Sequence, residues 1–230
     1  MGKVLITGAS QGIGFALAKE YLGLGAEVIG TCRKLEQAHD LRALSAEFPR
    51  LHIEALDVTD QHSLRTLVEQ LQPHTLDVLV NNAGVFDNDM RLGGLDYAEW
   101  RSVLETNTIG VLATIEACLP ALRRSPHPKV IGISSALGSI QNTLGGRYFY
   151  RSSKAALNMV IRSLAVDYRD AGIIFAVLSP GLVDTALTRH LDKPKISPVQ
   201  SAAGLARVIS SLTLEQTGGF YRHDGGVLPW

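Results

Sequence analysis

The sequence predicts an α/β fold: a single doubly wound, Rossmann-type domain over residues 1–230, with about seven mostly parallel strands and helices on both faces. The first reason is that short β-branched apolar runs alternate with longer helical patterns along the whole chain. The second is that no Pro/Ser-rich linker, low-complexity tract or abrupt change of composition interrupts this alternation. Because parallel strands are joined by right-handed crossovers, the helices are expected to cover both faces of the sheet.

Seven runs have the length and composition of buried strands. They are Lys3–Thr7, Glu27–Cys32, His52–Leu56, Leu76–Val80, Lys129–Ser134, Ile173–Leu178 and Gly219–Arg222. Apolar residues recur at helical spacing in 12–23, 36–47, 60–72, 97–122, 148–171 and 198–213. In the fourth of these helices, Thr106-Asn107-Thr108 groups three poor helix formers before Gly110, which indicates a kink or a polar role.

The overall charge is balanced, with 22 basic and 22 acidic residues in a chain of 230. This balance, without a basic block, argues against nucleic acid and anionic membranes as partners. No apolar run approaches the ~20 residues of a membrane span, and the first residues lack the pattern of a signal peptide. The two cysteines indicate no disulfide framework, and the seven histidines show no metal-ligand spacing. We therefore expect a soluble cytoplasmic protein without a metal.

The turn after the first strand is rich in glycine and opens a helix. Glycines let backbone amides approach a pyrophosphate, and a helix N-terminus favours its negative charge. The spacing is Gly-x-x-x-Gly-x-Gly rather than the commoner Gly-x-Gly-x-x-Gly, and glycines can also serve only to turn the chain. The position in the first βα unit favours nucleotide binding by Gly8, Ser10, Gln11, Gly12, Ile13 and Gly14.

The second strand ends Gly30-Thr31-Cys32-Arg33-Lys34, with no acid at its tip. In dinucleotide folds a carboxylate there binds the ribose 2′-hydroxyl, whereas a basic residue accommodates a 2′-phosphate. Arg33 can grip a phosphate with two hydrogen bonds, which a lysine cannot do. A solvated Arg-Lys pair is the alternative, but the missing acid favours NADP(H).

Polar or small residues follow four further strands at the carboxyl edge, where such sheets bind their ligands. Asp57 and Val58 follow the third strand, and Asp57 is placed to reach an adenine amino group. The fourth strand ends Asn81-Asn82-Ala83-Gly84, whose small residues suit the close approach of a flat ring. Ser134-Ser135 follows the fifth strand, and the turn 179–185 after the sixth carries another hydroxyl.

Tyr150 and Lys154 lie four residues apart on a predicted helix, so the phenol and the ammonium share one face. A phenol has an ordinary pKa of about 10, and a nearby positive charge is expected to lower it towards the range useful for acid–base catalysis. An amphipathic helix with a surface Tyr and a surface Lys would show the same spacing. Tyr148 is excluded because Ser152, not a lysine, lies one turn later.

Together these stretches resemble the short-chain dehydrogenase/reductase family over nearly the whole chain. The motifs that carry the resemblance, in family order, are Thr7-Gly8-…-Gly12-Ile13-Gly14, Asp57, Asn81-Asn82-Ala83-Gly84, Asn107, Ser135, Tyr150-…-Lys154 and Pro180-Gly181-…-Val183-…-Thr185. The stretches 138–158 and 219–230 are similar, more narrowly, to the C-factor (C-signal) and sniffer-like carbonyl reductases.

The resemblance implies a catalytic set of four residues. Tyr150 would be the general acid for carbonyl reduction, and Lys154 would hold the nicotinamide ribose and lower the pKa of Tyr150. Ser135 would bind the substrate carbonyl oxygen, and Asn107 would position a water that links Lys154 to solvent. Ser135 lies fifteen residues before Tyr150, further than is usual in the family, but it keeps a Ser-x-x-Gly context that favours it over Ser139.

The resemblance also implies an NADP(H)-dependent oxidoreductase that reduces aldehydes or ketones to alcohols by hydride transfer and assembles as a homodimer or homotetramer. In it, Pro180, Val183 and Thr185 would seat the nicotinamide carboxamide. A narrower alternative is 3-oxoacyl-thioester reduction. An alternative of another class is a C-factor-like signalling or nucleotide-sensing protein that binds NADP(H) without turnover. The retention of all four catalytic residue types favours the enzyme.

The substrate pocket is expected to be open, because only about a dozen residues separate Thr185 from the next predicted helix. Asp87-Asn88-Asp89 is interpreted as a solvated loop near the mouth of this pocket, since the glycine and glutamate of a calcium loop are missing. The predicted pocket wall consists of Phe86, Leu92, Leu137, Gln141 and Leu182.

Overall fold

A computed structural model describes residues 2–87 and 91–230 of the chain. The strands are β1 Lys3–Ile6, β2 Glu27–Cys32, β3 Leu51–Ala55, β4 Val78–Asn81, β5 Lys129–Ile133, β6 Ile174–Ser179 and β7 Gly219–Arg222. The helices are α1 Gly12–Gly23, α2 His39–Glu47, α3 Gln61–Leu71, α4 Tyr97–Leu104, α5 Gly110–Leu122, α6 Tyr148–Asp167 and α7 Pro198–Ser211. Every predicted strand is therefore found, within two residues at each end.

The seven strands form one sheet in the order β3-β2-β1-β4-β5-β6-β7, and every neighbouring pair is parallel. The chain runs outward from β1 to β3 and then returns to the other side of β1 with β4. This reversal places a crevice beyond the carboxyl ends of β1 and β4, where doubly wound folds bind ligands. The predicted fold class is confirmed.

The inner strands are mostly apolar along their length because both faces of the sheet are buried, whereas the edge strand β3 carries the exposed His52. In β1, Leu5 belongs to the apolar cluster on one face and Ile6 to the cluster on the other, and both are fully buried. Leu17 of α1 and Leu205 of α7 pack into the cluster of Ile6, whereas Ile161 of α6 packs into that of Leu5. Successive side chains of a strand point to opposite faces of the sheet, so one strand contributes to both apolar clusters and each face is covered by a layer of helices.

The long helix predicted over 97–122 is divided in the structure. Between α4 and α5, residues Glu105–Ile109 form a π-helical turn. The physical reason is that the polar side chains there bond to neighbouring segments: the Asn107 amide to the backbone of Val85, and the Thr108 hydroxyl to the carbonyl of Ser153. Of the two alternatives predicted for Thr106-Asn107-Thr108, the structure shows the polar role, at Asn107 and Thr108.

Two other helix boundaries differ from the prediction. A 3₁₀ turn, Leu35–Gln37, precedes α2, and α6 ends at Asp167 because the chain turns towards Gly172, whose φ is 71°. Within the ranges that the structure describes, no helix has the length and apolar character needed to cross a membrane. Cys32 and Cys118 are both buried free thiols.

Candidate active site

A cavity of about 800 Å³ lies at the carboxyl edge of the sheet, where the turns that follow the central strands meet. Of the predicted cofactor and catalytic residues, those lining it are Gly8, Ser10, Gln11, Gly12, Ile13, Arg33, Asp57, Val58, Ala83, Gly84, Tyr150, Lys154, Pro180 and Thr185. The predicted residues that do not line it are Gly14, Asn81, Asn107, Ser135, Gly181 and Val183. The structure therefore brings most of the predicted cofactor set to one place.

The glycine-rich turn after β1 is shaped by close backbone approach. Gly8 has a φ of 67°, in the left-handed region that glycine adopts without strain. A Cβ at Gly14 would lie 2.3 Å from the carbonyl oxygen of Gly8, so α1 can begin against this turn only with glycine there. Gly14 thus contributes to the site by packing, although it does not line the cavity.

Asn82 braces the glycine-rich turn, a role that the sequence reasoning did not assign. Its Nδ2 donates to the carbonyl oxygens of Thr7 at 2.9 Å and Gly8 at 3.1 Å. In return, the Thr7 hydroxyl accepts from the backbone N–H of Asn82 at 3.0 Å and of Ala83 at 2.9 Å. In the sequence, the one indication of this contact is that Thr7-Gly8 and Asn82-Ala83 each follow a predicted strand. The structure pairs these two strands, β1 and β4, side by side.

Arg33 and Asp57 lie at the end of the cavity beside β2 and β3. The Asp57 carboxylate accepts from the backbone N–H of Thr59 at 2.9 Å and from its hydroxyl at 2.7 Å. Burial acts to raise the pKa of Asp57, but the Thr59 hydrogen bonds and the Arg33 guanidinium together hold that pKa below its usual value. Arg33 is exposed and near enough to act on Asp57, so a guanidinium and a carboxylate lie together at this end of the cavity.

Tyr150 lies in the first turn of α6, and the Ser135 hydroxyl is near enough to its phenol to lower the pKa that burial raises. Ser135 also accepts from the backbone N–H of Leu137 at 3.1 Å, which fixes its side chain at the end of β5. Ser139 instead donates to the carbonyl oxygen of Trp230 at 3.0 Å. The geometry therefore pairs Tyr150 with Ser135.

Lys154 is buried, with 4% of its surface exposed. Its Nζ donates to the carbonyl oxygen of Ile133 at 2.9 Å and lies 5.7 Å from the centroid of the Tyr150 ring. Burial lowers the pKa of Lys154 to about 8 and raises the pKa of Tyr150 to about 12. The expectation that Lys154 lowers the pKa of Tyr150 is wrong here, because burial disfavours both charged forms and the ammonium points at Ile133.

Asn107 is fixed by three hydrogen bonds from its side chain. Its Oδ1 accepts from the backbone N–H of Val85 at 2.8 Å, and its Nδ2 donates to the Val85 carbonyl at 2.9 Å and to the Ser153 hydroxyl at 3.0 Å. A Cβ at Gly84 would lie 3.2 Å from Asn107 Oδ1 and 3.5 Å from Lys154 Nζ. Asn107 and Lys154 therefore both lie close to Gly84, where a larger residue would make a tight contact with Asn107.

The turn after β6 faces the glycine-rich turn across the cavity. Val183 is buried and forms a parallel bridge with Ile196, and the Pro180 carbonyl accepts from the Ser201 hydroxyl at 2.8 Å. A Cβ at Gly12 would lie 3.4 Å from Cγ2 of Thr185. The two turns thus approach each other closely, with Thr185 on the cavity surface.

None of the five predicted substrate-wall residues lines the cavity. Phe86 lies behind Tyr150, with ring centroids 4.4 Å apart, while Leu92 is 76% exposed and the backbone N–H of Gln141 donates to Trp230. Leu137 and Leu182 are half-buried. The cavity is lined instead by residues outside the predicted set: Cys32, Leu56, Thr59, Asn82, Val85, Ser102, Glu105, Thr106, Ile133, Ser134, Asp184, Ala186, Leu187, Arg189 and Pro198.

The interpretation of Asp87-Asn88-Asp89 as a solvated loop is wrong at Asp87, which is buried; Asn88 and Asp89 lie outside the described residues. Asp87 is withdrawn from water because its carboxylate accepts from the backbone N–H of Tyr150 at 3.1 Å and lies 3.7 Å from the Arg147 guanidinium. In the described part of the chain, no three His, Cys, Asp or Glu side chains group as metal ligands.

Comparison with known proteins places this site in a family. A family model described as short chain dehydrogenase matches residues 2–195. The 1-hydroxy-2-glutathionyl-2-methyl-3-butene dehydrogenase of Rhodococcus sp. (strain AD45) is 38% identical over 235 residues, covering 100% of both chains. The C-signal of Myxococcus xanthus is 40% identical over 156 residues, which are 67% of this chain and 93% of that protein. The 3-oxoacyl-(acyl-carrier-protein) reductase of Escherichia coli (strain K12) is 35% identical over 211 residues, 90% of this chain and 82% of that protein.

Two solved structures agree closely with the whole fold. The carbonyl reductase Sniffer of D. melanogaster has a TM-score of 0.95 at 34% identity and covers 100% of both chains. The NADPH-bound carbonyl reductase from chicken fatty liver has a TM-score of 0.93 at 34% identity, covering 99% of this chain and 98% of that one. The chain belongs to the short-chain dehydrogenase/reductase family, with relatives that include C-signal and the sniffer-like carbonyl reductases.

Proposed function

We propose that this protein is an NADP(H)-dependent reductase that converts aldehydes or ketones to alcohols. The observation that carries the proposal is that Tyr150 and the buried Lys154 line the cavity together, with the Ser135 hydroxyl close enough to Tyr150 to lower the pKa of its phenol. The similarity to an NADPH-bound carbonyl reductase over nearly the full length supports it.

The residues around the cavity fit a dinucleotide. A Cβ at Gly12 would narrow the gap to Thr185, and Gly8 and Gly12, both with positive φ, line the cavity where α1 begins. A pyrophosphate there would lie at the N-terminus of α1, where negative charge is favoured. Arg33 would hold the 2′-phosphate, and Asp57 the adenine end. The other proposed contacts are Ser10, Gln11, Ile13, Val58, Asn81, Ala83, Gly84, Pro180, Gly181, Val183 and Thr185. Bound there, NADPH supplies the hydride.

Residues of the chain would bind the carbonyl oxygen of the substrate and supply the proton that completes the alcohol. A carbonyl oxygen placed between the hydroxyls of Ser135 and Tyr150 would accept two hydrogen bonds, which stabilise the negative charge that develops on it. Tyr150 would donate its proton to form the alcohol. Lys154 would hold the ribose and provide positive charge close to the phenolate that remains.

Asn107 would serve proton return rather than the chemical step. Its hydrogen bonds with Val85 hold the segment after β4 beside Lys154. We assign it the role of positioning a water that links Lys154 to solvent.

The test of this function is NADPH oxidation with a panel of reactive aldehydes, diketones and 3-oxoacyl thioesters. We expect turnover with several members of the first two classes, since the segment between Thr185 and α7 is short and Leu187 within it is exposed. Turnover restricted to the thioesters would support the narrower reductase, which the Escherichia coli relative favours. Tight NADPH binding without turnover on any member would contradict the enzyme and support the sensing alternative, which the C-signal relative favours.

Cofactor preference provides a second prediction. We expect NADPH to be preferred over NADH by at least ~1.4 kcal/mol, roughly tenfold in kcat/KM, because Arg33 pairs with the 2′-phosphate. Arg33→Ala should remove most of this preference. Lys34→Ala is the matched control, since Lys34 is also exposed but does not line the cavity. Equal kcat/KM for the two cofactors in the parent protein would contradict the assignment.

We further propose that the chain forms a homodimer or homotetramer. Exposed apolar side chains lie on the helical segments that follow β4 and β5: Ile109 in the π-helical turn, Leu112 on α5, and Met159 and Val166 on α6. Burying such faces between copies is the usual origin of twofold assemblies. Light scattering at micromolar concentration should give a multiple of 24.8 kDa. A monomer mass would refute the assembly.

A further inference from the structure

Asp87 caps the helix that carries Tyr150, although it belongs to a distant segment of the chain. The first amides of a helix lack partners within it, and a side chain just before the helix commonly accepts from one of them. In α6 that preceding residue is Arg147, which has a φ of 48° and forms no capping bond with its side chain. Asp87 Oδ2 takes the place of the cap by accepting from the backbone N–H of Tyr150 at 3.1 Å.

Arg147 connects the same carboxylate to the ring of Tyr150. Its guanidinium lies 3.7 Å from Asp87 Oδ1 and 4.5 Å from the centroid of the Phe86 ring. Phe86 in turn packs on Tyr150 with ring centroids 4.4 Å apart. A pair of opposite charges therefore lies next to the Phe86 ring, which itself contacts Tyr150. Asp87 is buried, with 7% of its surface exposed.

The other groups around Tyr150 are few in the described residues. Lys154 lies one turn along α6, and the Ser135 hydroxyl at the end of β5 is near enough to act on the phenol. His190 contacts Phe86, with ring centroids 6.1 Å apart. The other charged residues that line the cavity are Arg33, Asp57, Glu105, Asp184 and Arg189.

We propose that Asp87 is a positioning residue for Tyr150, holding the first turn of α6 in place, and that the Asp87–Arg147 pair controls how firmly the phenol keeps its proton. The proposal rests on the proposed function, in which Tyr150 is the acid.

The charges act in opposite directions on the phenol. A negative charge disfavours the phenolate and a positive charge favours it. Burial is the main cause that raises the pKa of Tyr150, the Ser135 hydrogen bond lowers it, Asp87 raises it further and Arg147 lowers it. Asp87 thus helps to keep the acid protonated, while Arg147 limits that effect and keeps the buried carboxylate paired.

The test uses Asp87→Asn, which keeps an acceptor for the Tyr150 N–H but removes the charge, and Arg147→Gln, which removes the opposing charge. The phenol of Tyr150 is titrated by its ultraviolet phenolate absorbance after a rapid pH jump, as the difference between each protein and the same protein carrying Tyr150→Phe. Asp87→Asn should lower the titration midpoint by about one pH unit, and Arg147→Gln should raise it by a similar amount. The double variant should return towards the parent.

The control is Asp167→Asn, an exposed carboxylate at the other end of α6, which should leave the midpoint unchanged. Midpoints that move in the same direction, or not at all, would overturn the proposal. If Asp87→Asn fails to fold, Arg147→Gln decides alone, since a midpoint that does not rise refutes the charge pair. The titration needs no turnover, so an inactive parent would refute the proposed function while this result still stands by itself.

Discussion

Tyr150→Phe is expected to abolish carbonyl reduction and to leave NADPH binding nearly intact. The substitution removes the hydroxyl that is the proposed proton donor, whereas the phenyl ring keeps its packing against Phe86, with ring centroids 4.4 Å apart. General acid catalysis is worth about 10²–10⁴-fold, so kcat should fall by at least ~100-fold. The measurements are kcat for NADPH oxidation and the Kd of NADPH from fluorescence titration.

Tyr148→Phe is the matched control, because Tyr148 lies two residues earlier in the same helix but is exposed and one turn before Ser152. Its kcat should equal that of the parent. If Tyr150→Phe retains more than about a tenth of the parent kcat while Tyr148→Phe does not, the proton donor has been assigned to the wrong tyrosine.

The fold could be predicted from the sequence because each element carries its own local signal. The strand runs are apolar on both faces, as burial between two helical layers requires, and Leu5 and Ile6 show this directly. The π-helical turn at Glu105–Ile109 was visible only as three poor helix formers, since its cause is a set of hydrogen bonds with Val85 and Ser153.

The catalytic candidates could be predicted from the sequence where their relative positions depend only on spacing within one helix. Tyr150 and Lys154 share a helix face by spacing alone, but the direction of Lys154 towards Ile133 depends on a strand 21 residues away in sequence. Burial then reversed the expected direction of the Tyr150 pKa. The spacing of four residues predicts that Tyr150 and Lys154 are neighbours, but it does not predict how deeply their side chains are buried.

Contacts between segments far apart in the sequence explain the other differences between the predicted site and the structure. Asp87 was interpreted as solvated because its partners, Arg147 and the backbone of Tyr150, come some sixty residues later in the chain. The support that Asn82 gives to the glycine-rich turn depends on the pairing of β1 with β4. The predicted substrate wall combined residues from loops whose relative positions no local pattern determines.

Lys154→Met is expected to reduce kcat/KM for reduction by at least about 100-fold, ~2.7 kcal/mol, and to weaken NADPH binding. The substitution removes both the donor proposed for the ribose and the positive charge beside the phenolate that forms when Tyr150 gives up its proton. The measurement is kcat/KM at a series of pH values, together with the Kd of NADPH.

The pH dependence gives this prediction its sharper form. The active form has both Lys154 and Tyr150 protonated, so the group with the lower pKa determines where the rate falls as pH rises. Burial places the pKa of Lys154 at about 8 and that of Tyr150 at about 12, so the fall should centre near pH 8 and report the loss of the ammonium. Lys154→Arg stays charged throughout this range, and its residual activity should hold to higher pH.

The profile of Lys154→Met separates the two assignments. Its side chain carries no proton to lose, so the remaining activity should show no fall near pH 8 and should decline only where Tyr150 itself ionises. A fall near pH 8 that persists in Lys154→Met would mean that another group titrates there and that the charge of Lys154 is not needed for the chemical step. Lys154 would then be left with the ribose alone, and the burial of its ammonium beside Tyr150 would be a consequence of packing between α6 and β5.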